Sequence, residues 1–172
     1  MAHEDNIKLL DVIRSRRSIR KYRKETVTDL LINEILEAGR WAPSGLNNQP
    51  WRFVVIKDKS LKEKLSAMTH YSGIVSGSDF CVAVFYNSPA GYHREKDIMS
   101  IGACIQNMLI YSHHLGIGSV WLGEILKNRE KINELLGITQ SNEFMALIAF
   151  GYPDEEVISE RLKMNEILLK VL

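Results

Sequence analysis

The sequence predicts an α+β domain built around one central sheet. Hydrophobic periodicity gives the order helix, helix, strand, helix, strand, long helix, strand, helix, strand. That order lacks the regular βαβ alternation of a doubly wound fold. It also lacks a glycine-rich first turn. Gly116-Ile117-Gly118 starts like a dinucleotide fingerprint, but Val120-Trp121 stands where the later glycine is needed. A chain of 172 residues suits a single domain, 1–172, with a sizeable core.

Each element has its own warrant. Ile7, Leu10 and Ile13 form the apolar stripe of a first helix over 6–15. Thr28 is an N-cap residue for a second helix, with Leu31, Ile35 and Ala38 on one face. That helix must stop before Pro43. Trp51 to Ile56 is mostly apolar and reads as a strand buried on both faces. Ser60 with Glu63 forms a capping box for a short helix through Met68. Phe80 to Tyr86 is a second buried strand. The longest helix covers 95–114, where Ile98, Ile101, Ile105, Met108, Leu109 and Ser112 recur at helical spacing and Gly116 supplies the stop. Gly118 to Leu122 is a short strand, 128–136 a small helix closed by Gly137, and Phe144 to Phe150 a fourth strand. The tail, 154–172, has no compact pattern. It ends in Ile167-Leu168-Leu169-Lys170-Val171-Leu172, an apolar terminus that needs burial on its own core or on a second subunit.

Composition excludes several classes. Hydrophobic residues make up 45% and charged residues 25%, ordinary globular values, with a net charge of +1. Nothing global argues for a nucleic acid or an acidic membrane. No apolar stretch is long enough to span a bilayer, and the first ten residues lack a signal core, so a cytoplasmic protein is expected. Cys81 and Cys104 lie in apolar runs and read as small buried hydrophobes. His113-His114 lacks the spacing of a zinc site, and the other histidines are scattered, so no metal is expected.

The basic residues are local. Arg16, Arg17, Arg20, Lys21 and Arg23 crowd around Ser18, with no acid between Asp11 and Glu25. Guanidinium forks match phosphate oxygens, and the Ser18 hydroxyl adds a donor. A polar helix end with excess charge, or a contact for RNA, is the blander alternative. A second segment, Pro43-Ser44-Gly45-Leu46-Asn47-Asn48-Gln49-Pro50, lies between a helix and a strand and carries no charge. Its amides both donate and accept, which suits the edge of a polar heterocycle. A turn that satisfies its own backbone is the alternative. A third, Gly116 to Glu124, combines glycines that admit a ligand with the flat face of Trp121, for which a place in the core is the blander alternative. A fourth is Arg161 with Lys163 in the tail.

Together these segments resemble the nitroreductase family of flavin-dependent oxidoreductases. The resemblance spans nearly the whole chain, from about 7 to 167. It rests on Arg16-Arg17-Ser18-x-Arg20, then Pro43-Ser44-Gly45-x-Asn47-x-Gln49-Pro50-Trp51, Gln106-Asn107, the run from His113 to Trp121, and Phe150-Gly151-Tyr152-Pro153. It implies a three-layer α/β/α sandwich with a central mixed sheet and a C-terminal arm, 154–172, extended over a homodimer partner. It implies FMN bound between the two chains. By position, Arg16, Arg17 and Ser18 would hold the phosphate and ribityl chain, and Arg20 would face the pyrimidine end. Asn47 would bond the flavin's polar edge, and Pro43 and Ser44 would come from the partner. Leu122 and Gly123 would place N–H groups near flavin N5 and O4. Gln106 would also belong to the cofactor site, and Arg161 would return to the phosphate.

The activity implied is hydride transfer from NAD(P)H to FMN and on to a nitroaromatic, quinone or related acceptor by a ping-pong scheme, with no side-chain acid or base required. The short connection from Asn87 to Lys96 leaves little room for a lid over the flavin. Alternatives are a flavin-binding or flavin-storage protein without nicotinamide turnover, and a same-fold enzyme with a different flavin reaction.

Overall fold

The central strands are buried on both faces, and the alternating direction of their side chains sets the layers. The structure, a computed structural model, describes residues 9–172. Four strands lie in the order β1-β2-β4-β3: β1 Trp51–Ile56, β2 Phe80–Asn87, β3 Gly118–Leu122 and β4 Asn142–Gly151. Phe80, Val82, Val84 and Tyr86 pack with Ala146, Ile148 and Phe150 in a cluster shared with α2 (Asp29–Arg40) and α5 (Arg94–His114). Cys81, Ala83 and Phe85 face the other way, with Leu147 and Ala149. There they meet Leu65 of α3 (Lys59–Ser66), Val75 of α4 (Ser72–Gly77) and Ile132 of α6 (Arg129–Leu135). Helices thus cover both faces, the three layers expected. A bulge keeps this alternation from being uniform. Val84 opposes Ala146 and Phe85 opposes Phe144, so Met145 is the extra residue and Phe144 joins the second cluster.

The sheet is not mixed within this chain. Its three pairings are all antiparallel. After β1 and after β3 the chain re-enters the sheet at the end it has just left, which makes the next strand antiparallel. Only α5 crosses to the other end. It joins β2 to β3, and those two run parallel but have β4 between them. The parallel component among the described residues is one isolated bridge, Ser18 to Ser119.

Other expectations need correction. β1 is not buried on both faces, because it pairs on one side only and leaves Arg52 and Val55 exposed. The cap of α3 is Asp58 rather than Ser60: the Asp58 carboxylate accepts from the Leu61 N–H at 2.7 Å. An ionised acceptor there also complements the helix dipole. The first helix is observed over Leu9–Ser15, and Ile7 lies outside the described residues. On it Val12 is buried, whereas Leu10 and Ile13 face solvent. Thr28 does cap α2, and Gly116 and Gly137 stop α5 and α6 with φ of 75° and 65°. Ser72–Gly77 and the short α7, Met164–Ile167, were not expected.

Candidate functional site

Backbone hydrogen bonds place the basic cluster. Residues 16–23 form a strap across the start of β3 and the end of β4. The Ile19 N–H donates to the Ser119 carbonyl at 3.0 Å, the Arg23 N–H to Tyr152 at 2.9 Å, and the Asp154 N–H to Lys21 at 2.9 Å. Tyr22 locks the strap from beneath, its hydroxyl donating to Ile19 O at 2.7 Å and Ala149 O at 3.2 Å. Gly118 has no room for a side chain, since a Cβ there would meet Ile19 at 2.8 Å. Glu155 caps the turn by accepting from the N–H groups of Arg20 and Lys21.

The cluster is short of negative charge. Among the described residues, Arg16, Arg17, Arg20, Lys21 and Arg161 make no ion pair with a carboxylate. Arg17 instead donates to three backbone carbonyls, of Arg14, Arg16 and Ser159. Its Nε is buried and unpartnered. Arg16 is half-buried, and burial lowers its pKa, followed by repulsion from Arg161 and Arg17. Arg161 lies near enough for its charge to act on Arg16. His113 closes the group from the end of α5, its Nε2 2.8 Å from the Ser15 hydroxyl. Burial lowers the His113 pKa first, and Arg16, Arg17 and His114 lower it further. Three guanidiniums with no counter-charge and one orphaned N–H fit an anion such as a terminal phosphate.

The other expected residues lie apart. Leu122 and Gly123 sit at the far end of β3, four residues beyond Ser119, a span of about 13 Å at 3.3 Å per residue. Nothing lies within 4 Å of a Cβ built on Gly123, so a flat ring has access to its backbone. Arg20 is exposed and donates to Ser18 O at 3.2 Å. Pro43 and Ser44 border a shallow depression of about 320 Å³ with Gly45, Met99, Ser100 and Ala103. Asn47 is exposed, in a loop where Leu46, Asn47 and Gln49 all have positive φ, 55°, 55° and 47°. The Ser44 hydroxyl accepts from the Gln49 N–H at 3.0 Å and helps hold that shape.

The two groups of residues meet opposite ends of α5. From Ala103 to His113 is ten residues, about 15 Å along the axis. Between them runs a stripe of positions at helical spacing that are exposed (Met99, Gln106) or half-buried (Ala103, Ile110, His113). Gln106 itself is exposed, while its neighbour Asn107 ties α5 to α2 by donating to Ala38 O at 3.1 Å. One chain does not bring Pro43, Ser44 and Asn47 to Arg16.

Two polar constellations were missed in the sequence. One is the Ser15–His113 pair, whose members stand 98 positions apart and share no motif. The other is a buried cluster around Asp97, an acid in the first turn of α5 that no motif marks. Among the described residues no group of three or more His, Cys, Asp and Glu side chains is arranged to hold a metal ion. No helix there is long and apolar enough to cross a membrane.

Comparison with known proteins converges on one family. The model of the nitroreductase family matches residues 13–77 and 71–152. The Bacillus subtilis (strain 168) protein YfhC, assigned as an NAD(P)H nitroreductase, is 32% identical over 174 residues, covering 89% of this chain and 88% of that one. An Archaeoglobus fulgidus protein assigned as an NADH dehydrogenase/NAD(P)H nitroreductase is 32% identical over 150 residues, with 86% of each chain covered. A Desulfovibrio desulfuricans crystal structure, assigned as a nitroreductase in complex with FMN, superposes with a TM-score of 0.92 at 43% identity over 95% of this chain and 96% of that one. The extent of these matches and the four-stranded, helix-covered sheet lead to one conclusion: the chain belongs to the nitroreductase family.

Proposed function

We propose that this protein is an NAD(P)H-dependent FMN oxidoreductase that works as a homodimer and passes reducing equivalents to a nitroaromatic, quinone or related acceptor. The observation that carries the reading is the arginine cluster, Arg16, Arg17 and Arg161, left without a carboxylate at one end of β3, with an open backbone at Gly123 just past its other end. Arg16, Arg17, Ser18 and Arg161 would hold the FMN phosphate. Leu122 and Gly123 would lie at the ring's reacting edge, where the unobstructed space at Gly123 would let the ring approach the backbone. Arg20 supplies positive charge for the pyrimidine end, which favours electron-rich forms of the ring. Bound FMN supplies the hydride chemistry at its N5. Asn47, Pro43 and Ser44 complete the pocket from the second copy.

The α5 stripe supports that sharing. A two-fold axis crossing α5 near Gln106 sets Met99 of one copy against His113 of the other, and Ala103 against Ile110. The amide loop beside Met99 and Ala103 then adjoins the arginine cluster beside His113. The apolar tail, with Leu169 and Leu172 fully exposed here, gains a surface to cover.

The test is a purified protein and two assays. Denaturation should release FMN, identified by chromatography. Steady-state oxidation of NADH or NADPH against a quinone should give parallel double-reciprocal lines, because one open ring face serves donor and acceptor in turn. A protein that takes up no flavin refutes the cofactor. Intersecting lines refute the shared face.

A further inference from the structure

A buried carboxylate stands behind the amide loop. Asp97 is fully buried in the first turn of α5. Its Oδ1 accepts from Asn48 Nδ2 at 2.7 Å. Its Oδ2 accepts from the N–H groups of Tyr92 at 2.9 Å and His93 at 3.0 Å, and from the Tyr86 hydroxyl at 3.4 Å. Asn48 donates a second bond, to Ala90 O at 3.0 Å. One carboxylate therefore joins the loop at 43–50, the connection at 88–93, the end of β2 and the start of α5. Two glycines make the same junction tight. A Cβ on Gly45 would lie 2.9 Å from the Tyr92 ring, and one on Gly91 would lie 2.1 Å from the Tyr86 hydroxyl.

The loop so held is a strained one. Left-handed backbone is disfavoured for residues with a side chain, least so for asparagine, and three such residues at Leu46, Asn47 and Gln49 persist only where surrounding contacts enforce them. Asn47 and Gln49 flank the residue that Asp97 grips. Burial by itself opposes ionisation of Asp97, but the bonds from Asn48, Tyr92 and His93 outweigh it and hold its carboxyl below the usual carboxylate range. The clamp is thus the charged, fully bonded form at neutral pH.

We propose that Asp97 is a positioning residue of the cofactor site, whose grip on Asn48 and on the 88–93 connection holds the left-handed loop in the shape that presents Asn47 to the flavin edge. Asp97 touches no cofactor itself. The role rests on the functional reading above, and the experiment separates the two.

Four proteins are compared: wild type, Asp97→Asn, Asn47→Ala and the double variant. The first readout is hydrogen exchange of cofactor-free protein. Amides of 43–50 should exchange at least about tenfold faster in Asp97→Asn than in wild type, while those of β2 and β4 keep their protection. The second is FMN affinity by fluorescence titration. Each single variant should bind about tenfold more weakly, and the double variant no more weakly than either, since Asp97 acts through Asn47. Independent, multiplicative losses of about a hundredfold in the double variant overturn the proposal, as does unchanged loop exchange. Should Asp97→Asn fail to fold, Asn48→Ala cuts the same link at a half-buried position and must give the same pattern. Wild-type protein that takes up no FMN removes the functional reading and this role with it. Wild-type uptake with unaltered uptake by Asp97→Asn removes the role alone.

Discussion

Arg16 is poised for an anion by what surrounds it: burial and two like charges weaken its hold on its own proton. Replacing Arg16 by Ala removes a charge-assisted bond and should weaken FMN binding by about 1–3 kcal/mol in a fluorescence titration. Ser18→Ala should weaken it by a smaller amount, as a neutral donor does. Unchanged affinity in both variants takes them out of the site. His113 offers a second, independent readout. It loses its proton below the ordinary imidazole range because it is partly buried and lies near Arg16 and Arg17. Its folded pKa is thus depressed, so its protonation penalises the fold as pH falls below about 6.5. A bound phosphate, with a charge of about −1.5 to −2, offsets those guanidiniums. An NMR titration should therefore show the ring's pKa rising toward its ordinary value when inorganic phosphate is added. A pKa that stays put or falls places the anion elsewhere.

At the level of elements, the strands were legible and their surroundings less so. β1 and β3 have the boundaries that their apolar runs predict, and β2 and β4 differ by one or two residues at an end. Hydrophobic content could not tell an edge strand from a central one, and so β1 was read as buried. The α3 cap was misplaced because Ser60 and Glu63 satisfy a sequence pattern, whereas Asp58, two residues earlier, makes the bond. Thermal or urea denaturation separates the two. Asp58→Ala should cost about 1 kcal/mol, and Ser60→Ala close to nothing. The reverse order would restore the capping box. α4 escaped notice because Ser72-Gly73-Ile74-Val75-Ser76-Gly77 carries two glycines, poor helix formers, and is held by burying Ile74 and Val75. The charge run at 16–23 announced itself in the sequence. The clamp behind the amide loop did not, since its partners lie 42 and 49 positions from Asn48.

The whole molecule exposes much apolar surface in one chain. Leu9, Leu10 and Ile13 of α1, Trp41, Leu46, Met99 of α5 and the tail from Ile158 to Leu172 all face solvent. Patches of that kind fit the proposed dimer, which would cover them. Light scattering at micromolar concentration should report a dimer, and the buried area should exceed about 2,000 Å² in total. Ending the chain before Ile158 should shift it toward monomer and release FMN together, because Arg161 and the covering tail leave at once. A monomer that retains FMN contradicts the shared site.

The separation of the two half-sites along α5 also predicts how damaged copies behave in mixtures. Take one variant spoiled in its arginine half, Arg16→Glu, and another spoiled in its loop half, Ser44→Tyr. Each pure dimer has two defective sites. A mixed dimer places both lesions in one site and leaves the other wholly intact. Co-refolding equal amounts of the two inactive proteins should therefore regenerate about a quarter of the wild-type flavin sites, as random pairing of a two-fold dimer requires. Recovery of activity from two inactive parents is a property no single-chain pocket has, and a mixture that stays colourless would place the whole pocket within one chain.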